Sequence, residues 1–194
     1  MNGTDTGSAR TSTIPTEPTS RYDNVSIRLH WLTAGLIILL WIIAQVIDDF
    51  ARGMPRITVR SIHIALGVTL AVVIVGRLAW RASPRRRVPP AVAGAVGAAA
   101  RIVHYGLYAL VIGAIILGIT NVWARGDTFF GLFTVPKLSP GNPEVKKTVE
   151  ELHEWFGNAV LILAAVHASA ALFHRFVLRD DVLRRMLPER GRKE

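Results

Sequence analysis

Apolar positions in this chain gather into blocks and do not alternate with polar ones. Four apolar stretches, residues 29–47, 61–80, 102–123 and 155–178, are separated by segments that hold nearly all of the charge. Each reaches the roughly 20 residues that a helix needs to cross a ~30 Å hydrocarbon layer. None contains an Asp or Glu, and Trp31, Trp80, Trp123 and Trp155 stand at their edges, where indole rings partition to the membrane–water boundary. The pattern predicts an all-α, integral membrane four-helix bundle. A polar helical lead-in from Val145 precedes the fourth span, and the Ala/Gly-rich stretch 89–100 starts the third helix early. The longest connection, 127–148, is rich in Gly, Pro and Phe, and no internal repeat is visible. Residues 1–20 are rich in Ser, Thr, Gly and Pro without an apolar core, so they read as a disordered tail and not as a signal peptide. The expected organisation is a tail over 1–20, a four-helix domain over 21–180 and a basic tail over 181–194.

Composition alone is less telling. An apolar fraction of 51% and a mean hydropathy of +0.34 are within reach of a soluble domain. A net charge of +9 suits either nucleic acid or a membrane. The placement of the charges decides between them. The two tails and the connection between spans two and three hold 16 of the 23 basic residues, and the other two connections hold 7, while the 14 acids divide evenly. One side of the membrane therefore carries the whole excess, and the positive-inside rule puts both termini in the cytoplasm. The basic side faces anionic lipid, not nucleic acid. The run Arg85, Arg86 and Arg87 reads as a stop signal. With no cysteine in the chain, disulfides, iron–sulfur clusters and thiolate metal sites are excluded.

Six histidines remain, and a histidine inside a span is costly unless it has a task. One alone would more often bond between helices; the set says more. His63 opens span two and His153 precedes span four, both at the outer face. His30 opens span one at the inner face, with His104, His167 and His174 in the same half. His153 and His167 are 14 residues apart. At ~100° per residue they return to within ~40° of one helix face, and at ~1.5 Å rise they are separated by ~21 Å. That suits two haems stacked across the membrane, each with one axial ligand from the fourth helix. Depth alone also allows His174, seven residues beyond His167, to pair with His30. A porphyrin against a helix needs a small residue one turn from its ligand. Ala34, Gly67, Gly157 and Ala171 follow His30, His63, His153 and His167 by four, whereas Tyr108 and Leu178 follow His104 and His174. Local packing thus selects the pairs His63–His153 and His30–His167.

The segments IRLHW (27–31), SIHIALG (61–67), HYGLYAL (104–110), LHEWFGN (152–158), VHASAALFHRF (166–176) and VLRRMLP (182–188) resemble the bacterial cytochrome b561 family over roughly residues 22–190. Its members are four-helix di-haem proteins of the inner membrane and include a superoxide oxidase. The resemblance implies two haem b groups held by His30, His63, His153 and His167, with ubiquinone as one reaction partner. In the superoxide oxidase branch, superoxide gives an electron at the outer face and quinone takes it at the inner face. Other branches serve a partner dehydrogenase or hydrogenase as an electron conduit. Bis-histidine ligation leaves no open iron position and so favours electron transfer.

The remaining candidates are secondary. Arg28 and Arg77 suit haem propionates, or simply snorkel to the interface. Arg56, Arg60, Lys146 and Lys147 precede the outer histidines and suit the steering of an anion, although Glu150, Glu151 and Glu154 lie close by. His174, His104 and Arg101 suit a quinone carbonyl or a proton relay, and equally propionate or interhelical contacts. A metal transporter would call for acidic residues within the spans, where this sequence has none.

Overall fold

The computed structural model describes residues 21–83, 94–137 and 142–188. The expected tail over 1–20, the arginine run 85–87, the start of the Ala/Gly-rich stretch and the chain beyond 188 lie outside these. Four long helices dominate: α1 (Asn24–Val46), α2 (Met54–Ala82), α3 (Gly94–Arg125) and α4 (Pro143–Phe173). All four are long and apolar enough to cross a membrane. Each extends beyond its apolar stretch because the apolar run marks only the hydrocarbon. The helix continues through the interfaces, where its backbone groups still need partners.

The helix ends follow from local chemistry. Asp23 caps α1, its carboxylate accepting from the Val25 and Ser26 amides at 3.1 Å each. The indole of Trp80 donates to the same carboxylate at 3.0 Å, which ties the end of α2 to the start of α1. Gly53, at φ 98°, allows the tight turn into α2, and Pro55 sits in the first turn, where its missing N–H costs nothing. Asn142 caps α4, accepting from the Glu144 and Val145 amides, again with a proline in the first turn. At its far end α4 widens into one π-helical turn, His174–Leu178, closed by Arg179 in the left-handed region at φ 56°.

The connection between α3 and α4 contains a small hairpin. Strand β1 (Thr128–Phe129) pairs antiparallel with β2 (Phe133–Thr134). Ser61 of α2 fastens it: the fully buried hydroxyl accepts from the Phe130 amide at 2.8 Å and donates to the Ile57 carbonyl at 2.8 Å.

The helices run alternately up and down, so both described ends of the chain lie at one end of the bundle, called here the terminal end. The hairpin lies at the opposite, or loop, end. Among the described residues only Ile27, Leu36, Leu70, Ile74, Val111 and Val160 are buried apolar side chains, while Val72 and Ile162 are 68% and 67% exposed. A soluble protein could not leave such residues in water; here the exposed apolar surface is what the lipid covers. Helix association instead uses small residues and polar links. On α3, a Cβ at Gly106 would meet Leu163 at 3.2 Å, and one at Gly113 would run into the Phe156 ring, so α3 and α4 pack closely. Trp41 of α1 donates to Asn158 of α4 at 2.9 Å in mid-span.

Residues 180–188 include the described part of the basic segment 181–194. They fold back over the terminal end as a strap. The Trp31 indole donates to the Met186 carbonyl at 2.8 Å, the Arg21 guanidinium to the Leu187 carbonyl at 2.5 Å, and the Tyr22 amide to the Arg185 carbonyl at 3.4 Å. The hinge is a hydrogen bond between His174 Nδ1 and the Asp180 carboxylate at 2.5 Å. The hydrogen bond from His174 holds the Asp180 carboxyl below its ordinary range. The Asp180 side of the contact is therefore ionised at neutral pH and is lost as the pH falls through that depressed value. Asp180→Asn is expected to speed amide hydrogen exchange over 180–188 several-fold at neutral pH, read by mass spectrometry. Unchanged protection would mean that the hinge pair does not hold the strap.

Candidate functional site

Helices α1, α2 and α4 bring four histidines together as two pairs. At the loop end the rings of His63 and His153 are 6.2 Å apart between centres, at 84° to one another. At the terminal end His30 and His167 are 6.3 Å apart at 75°. A metal–imidazole bond is about 2 Å and the nitrogen lies roughly 1.1 Å from its ring centre, so two rings on opposite sides of one ion sit about 6 Å apart. Both pairs meet that distance. Among the described residues no three His, Cys, Asp or Glu groups converge as an ion cage, so the donor set consists of opposed pairs. That set suits a metal already held in a planar ring. The surroundings have room for such a ring: a Cβ added at Gly67 or Gly157, one turn beyond His63 and His153, meets nothing within 4 Å.

The four rings are prepared differently. His153 donates from Nδ1 to the Ala114 carbonyl at 3.0 Å, which leaves the Nε2 lone pair free for a metal. His63 Nδ1 is buried, and the Leu40 backbone is the hydrogen-bonding group beside this ring. At the terminal end the Arg77 guanidinium, always a donor, reaches His30 Nδ1 at 3.0 Å and stands 5.5 Å over the Tyr108 ring. That puts the His30 proton on Nε2. Were Nε2 to hold a metal, the proton would sit on Nδ1 and Arg77 would be free to turn to an anionic group.

The other candidates divide. His104 packs against His167, with ring centres 5.0 Å apart, too close for the two to flank one ion. His174 is engaged with Asp180, and Arg101 is exposed on the first turns of α3. Arg28 lines a cavity of about 350 Å³ with Asn24, Ile27, Trp31 and Pro188 at the outer surface of α1. The steering set is largely compensated. Arg56 donates to the Asp48 and Phe50 carbonyls and pairs with Asp48 at 3.3 Å, Arg60 meets Asp127 at 3.6 Å, and Lys147 meets Glu151 at 3.6 Å. Only Lys146 has no ion pair among the described residues.

Sequence reasoning missed the groups that support the histidines. Asp127 bridges Arg60 and Arg125 at 3.6 and 3.5 Å, and Arg125 also meets Glu150 at 2.6 Å. Burial pushes the Asp127 carboxyl above its ordinary range, against the pull of Arg125 and Arg60. Tyr108 and the Ala114 carbonyl were equally invisible. The one available signal for Asp127 was an acid beside a glycine immediately after a helix-ending arginine.

Four membrane-length helices with a metal-length histidine pair at each end define the class, a membrane-embedded haem protein. Known proteins make it particular. The model of a family described as prokaryotic cytochrome b561 matches residues 21–189. The chain is 31% identical over 176 residues to cytochrome b561 homolog 1 of Escherichia coli K12, covering 88% of this chain and 99% of that one. It is 28% identical over 173 residues to the probable superoxide oxidase CybB of Yersinia pestis, covering 88% and 97%. It is 26% identical over 177 residues to cytochrome b562 of Cereibacter sphaeroides, covering 87% and 96%. The chain belongs to the prokaryotic cytochrome b561 family. It is a haem b-binding electron-transport protein, multi-pass in the bacterial inner membrane.

Proposed function

We propose that the protein binds two haem b groups, one between His63 and His153 and one between His30 and His167. We further propose that it passes electrons from superoxide at the outer face to ubiquinone at the inner face. The observation that carries this reading is the pair of ring separations, 6.2 and 6.3 Å, at opposite ends of one bundle. Bound there, haem supplies one-electron redox chemistry. The excess of basic residues at the terminal end supports a cytoplasmic location for both termini. The resemblance to a probable superoxide oxidase supports the donor.

Each superoxide gives up one electron and leaves as dioxygen; two electrons and two protons convert quinone to quinol. The chain's own residues fix the route. His153 and His63 hold the entry site, with the Asp127 cluster compensating charge beside it. His167 and His30 hold the exit site. There Arg77, released from His30, holds a propionate, and His104 and His174 are the groups able to supply protons to quinone. Arg101, exposed on α3, is kept with them as a proposed quinone contact. Lipid surrounds the spans, and no nucleic acid partner is called for.

The test is a reduced-minus-oxidised spectrum of the purified protein with haem per chain counted, followed by addition of superoxide without other reductant. Two low-spin haems that superoxide reduces, and quinone reoxidises, are expected. If dithionite reduces them and superoxide does not, the alternative of an electron conduit for a partner dehydrogenase or hydrogenase replaces the superoxide reading. No haem in a folded preparation would end both, and would return the histidines to metal transport or structure.

A further inference from the structure

Helix α3 contributes no member of either pair, yet it touches both α4 histidines in one register. His153 and His167 are 14 residues apart on α4, and on antiparallel α3 their neighbours Gly118 and His104 are also 14 apart. The loop-end contact is the more specific. A helical carbonyl points toward the residue four positions on, so the Cβ of residue 118 would normally screen the Ala114 oxygen. Gly118 has no Cβ, and the His153 ring fills that notch. One built there would stand 3.0 Å from Cε1 and 3.5 Å from Nδ1 of His153. Through the opening, His153 Nδ1 reaches the Ala114 carbonyl at 3.0 Å. That carbonyl has two lone pairs, one for its own helix and one for the ring.

We propose that Gly118 is a positioning residue for His153: the notch it leaves in α3 lets the Ala114 carbonyl fix both the tilt and the tautomer of that ring. The inference rests on the haem reading above. A carbonyl acceptor on Nδ1 makes the imidazole more basic and favours oxidised iron. It therefore lowers the potential of one haem and leaves the other alone.

The experiment is a potentiometric titration with low-temperature EPR on the full chain in detergent, comparing wild type, Gly118→Ala and Gly118→Leu. Gly35→Leu serves as control, because residue 35 is on the exposed, lipid-facing side of α1, unlike the half-buried Gly67 and Gly157. The expected result is a raised midpoint potential and an altered EPR signal for one haem only, with Leu acting more strongly than Ala, and no change in the control. If Gly118→Leu holds too little haem to titrate, Gly118→Ala, which asks the ring to give only slightly, carries the test. Two haems with both potentials unchanged, or both shifted alike as general loosening would do, would overturn the inference and leave the haem reading standing. A wild-type protein without two low-spin haems would remove that reading and this inference together.

Discussion

His153→Ala is expected to halve the haem content, from two groups per chain to one, with the remaining haem still low-spin. The substitution removes one of two opposed rings 6.2 Å apart and leaves the His30–His167 pair, on the other half of the bundle, untouched. Losing one of two axial ligands removes half of the metal–protein bonding at that end. The mirror variant His30→Ala should lose the other haem, and the double variant both, because the sites share no ligand. Haem is counted per chain from the pyridine adduct. If His153→Ala kept two haems, that residue would be no ligand. If His174→Ala, and not His167→Ala, lost the terminal-end haem, the pairing there would be His30 with His174.

Gly157→Leu is expected to leave the apoprotein as stable as wild type, or more so, and to abolish haem binding at the loop end. A Cβ at this position meets no protein atom within 4 Å, and within a helix Leu is favoured over Gly by up to about 1 kcal/mol. The space that Leu would fill lies one turn from His153, where a flat ring must pass. Gly113→Ala should behave in the opposite way. Its methyl group runs into the Phe156 ring, and overpacking of this kind costs about 1–3 kcal/mol. It should therefore loosen α3 from α4, lower thermal stability and weaken both haems together. Thermal unfolding of the haem-free protein, set beside haem per chain, separates the two behaviours. Full haem occupancy in Gly157→Leu would show that the open space beside His153 is not the cofactor's.

The sequence was readable where a single physical rule acts along the chain. Apolar runs of membrane length gave all four helices, because lipid demands internally satisfied backbone and an apolar surface over a fixed distance. Small residues one turn beyond His30, His63, His153 and His167 singled out the rings that the fold brings into opposition. The boundaries were less accurate. The helices overrun their apolar stretches at the interfaces, where polar residues are as acceptable as apolar ones. The hairpin over 128–134 was missed because two-residue strands have no periodicity to detect.

What the chain alone determined is the class of object: four spans, a one-sided excess of positive charge, and histidines at two depths on α4. These follow from composition within a window and from the fixed pitch of a helix. Only the tertiary structure decided which groups serve those histidines. The Ala114 carbonyl is a backbone atom, chemically the same at every residue, and becomes a partner of His153 only because Gly118 leaves it open. Arg77 and His30, 47 positions apart, meet because α1 and α2 run antiparallel. The steering arginines were sound as a pattern of charge, but Asp48 and Asp127 compensate them in the fold. Helix packing and the pairing of charges depend on distances across the bundle, and no spacing along the chain encodes those.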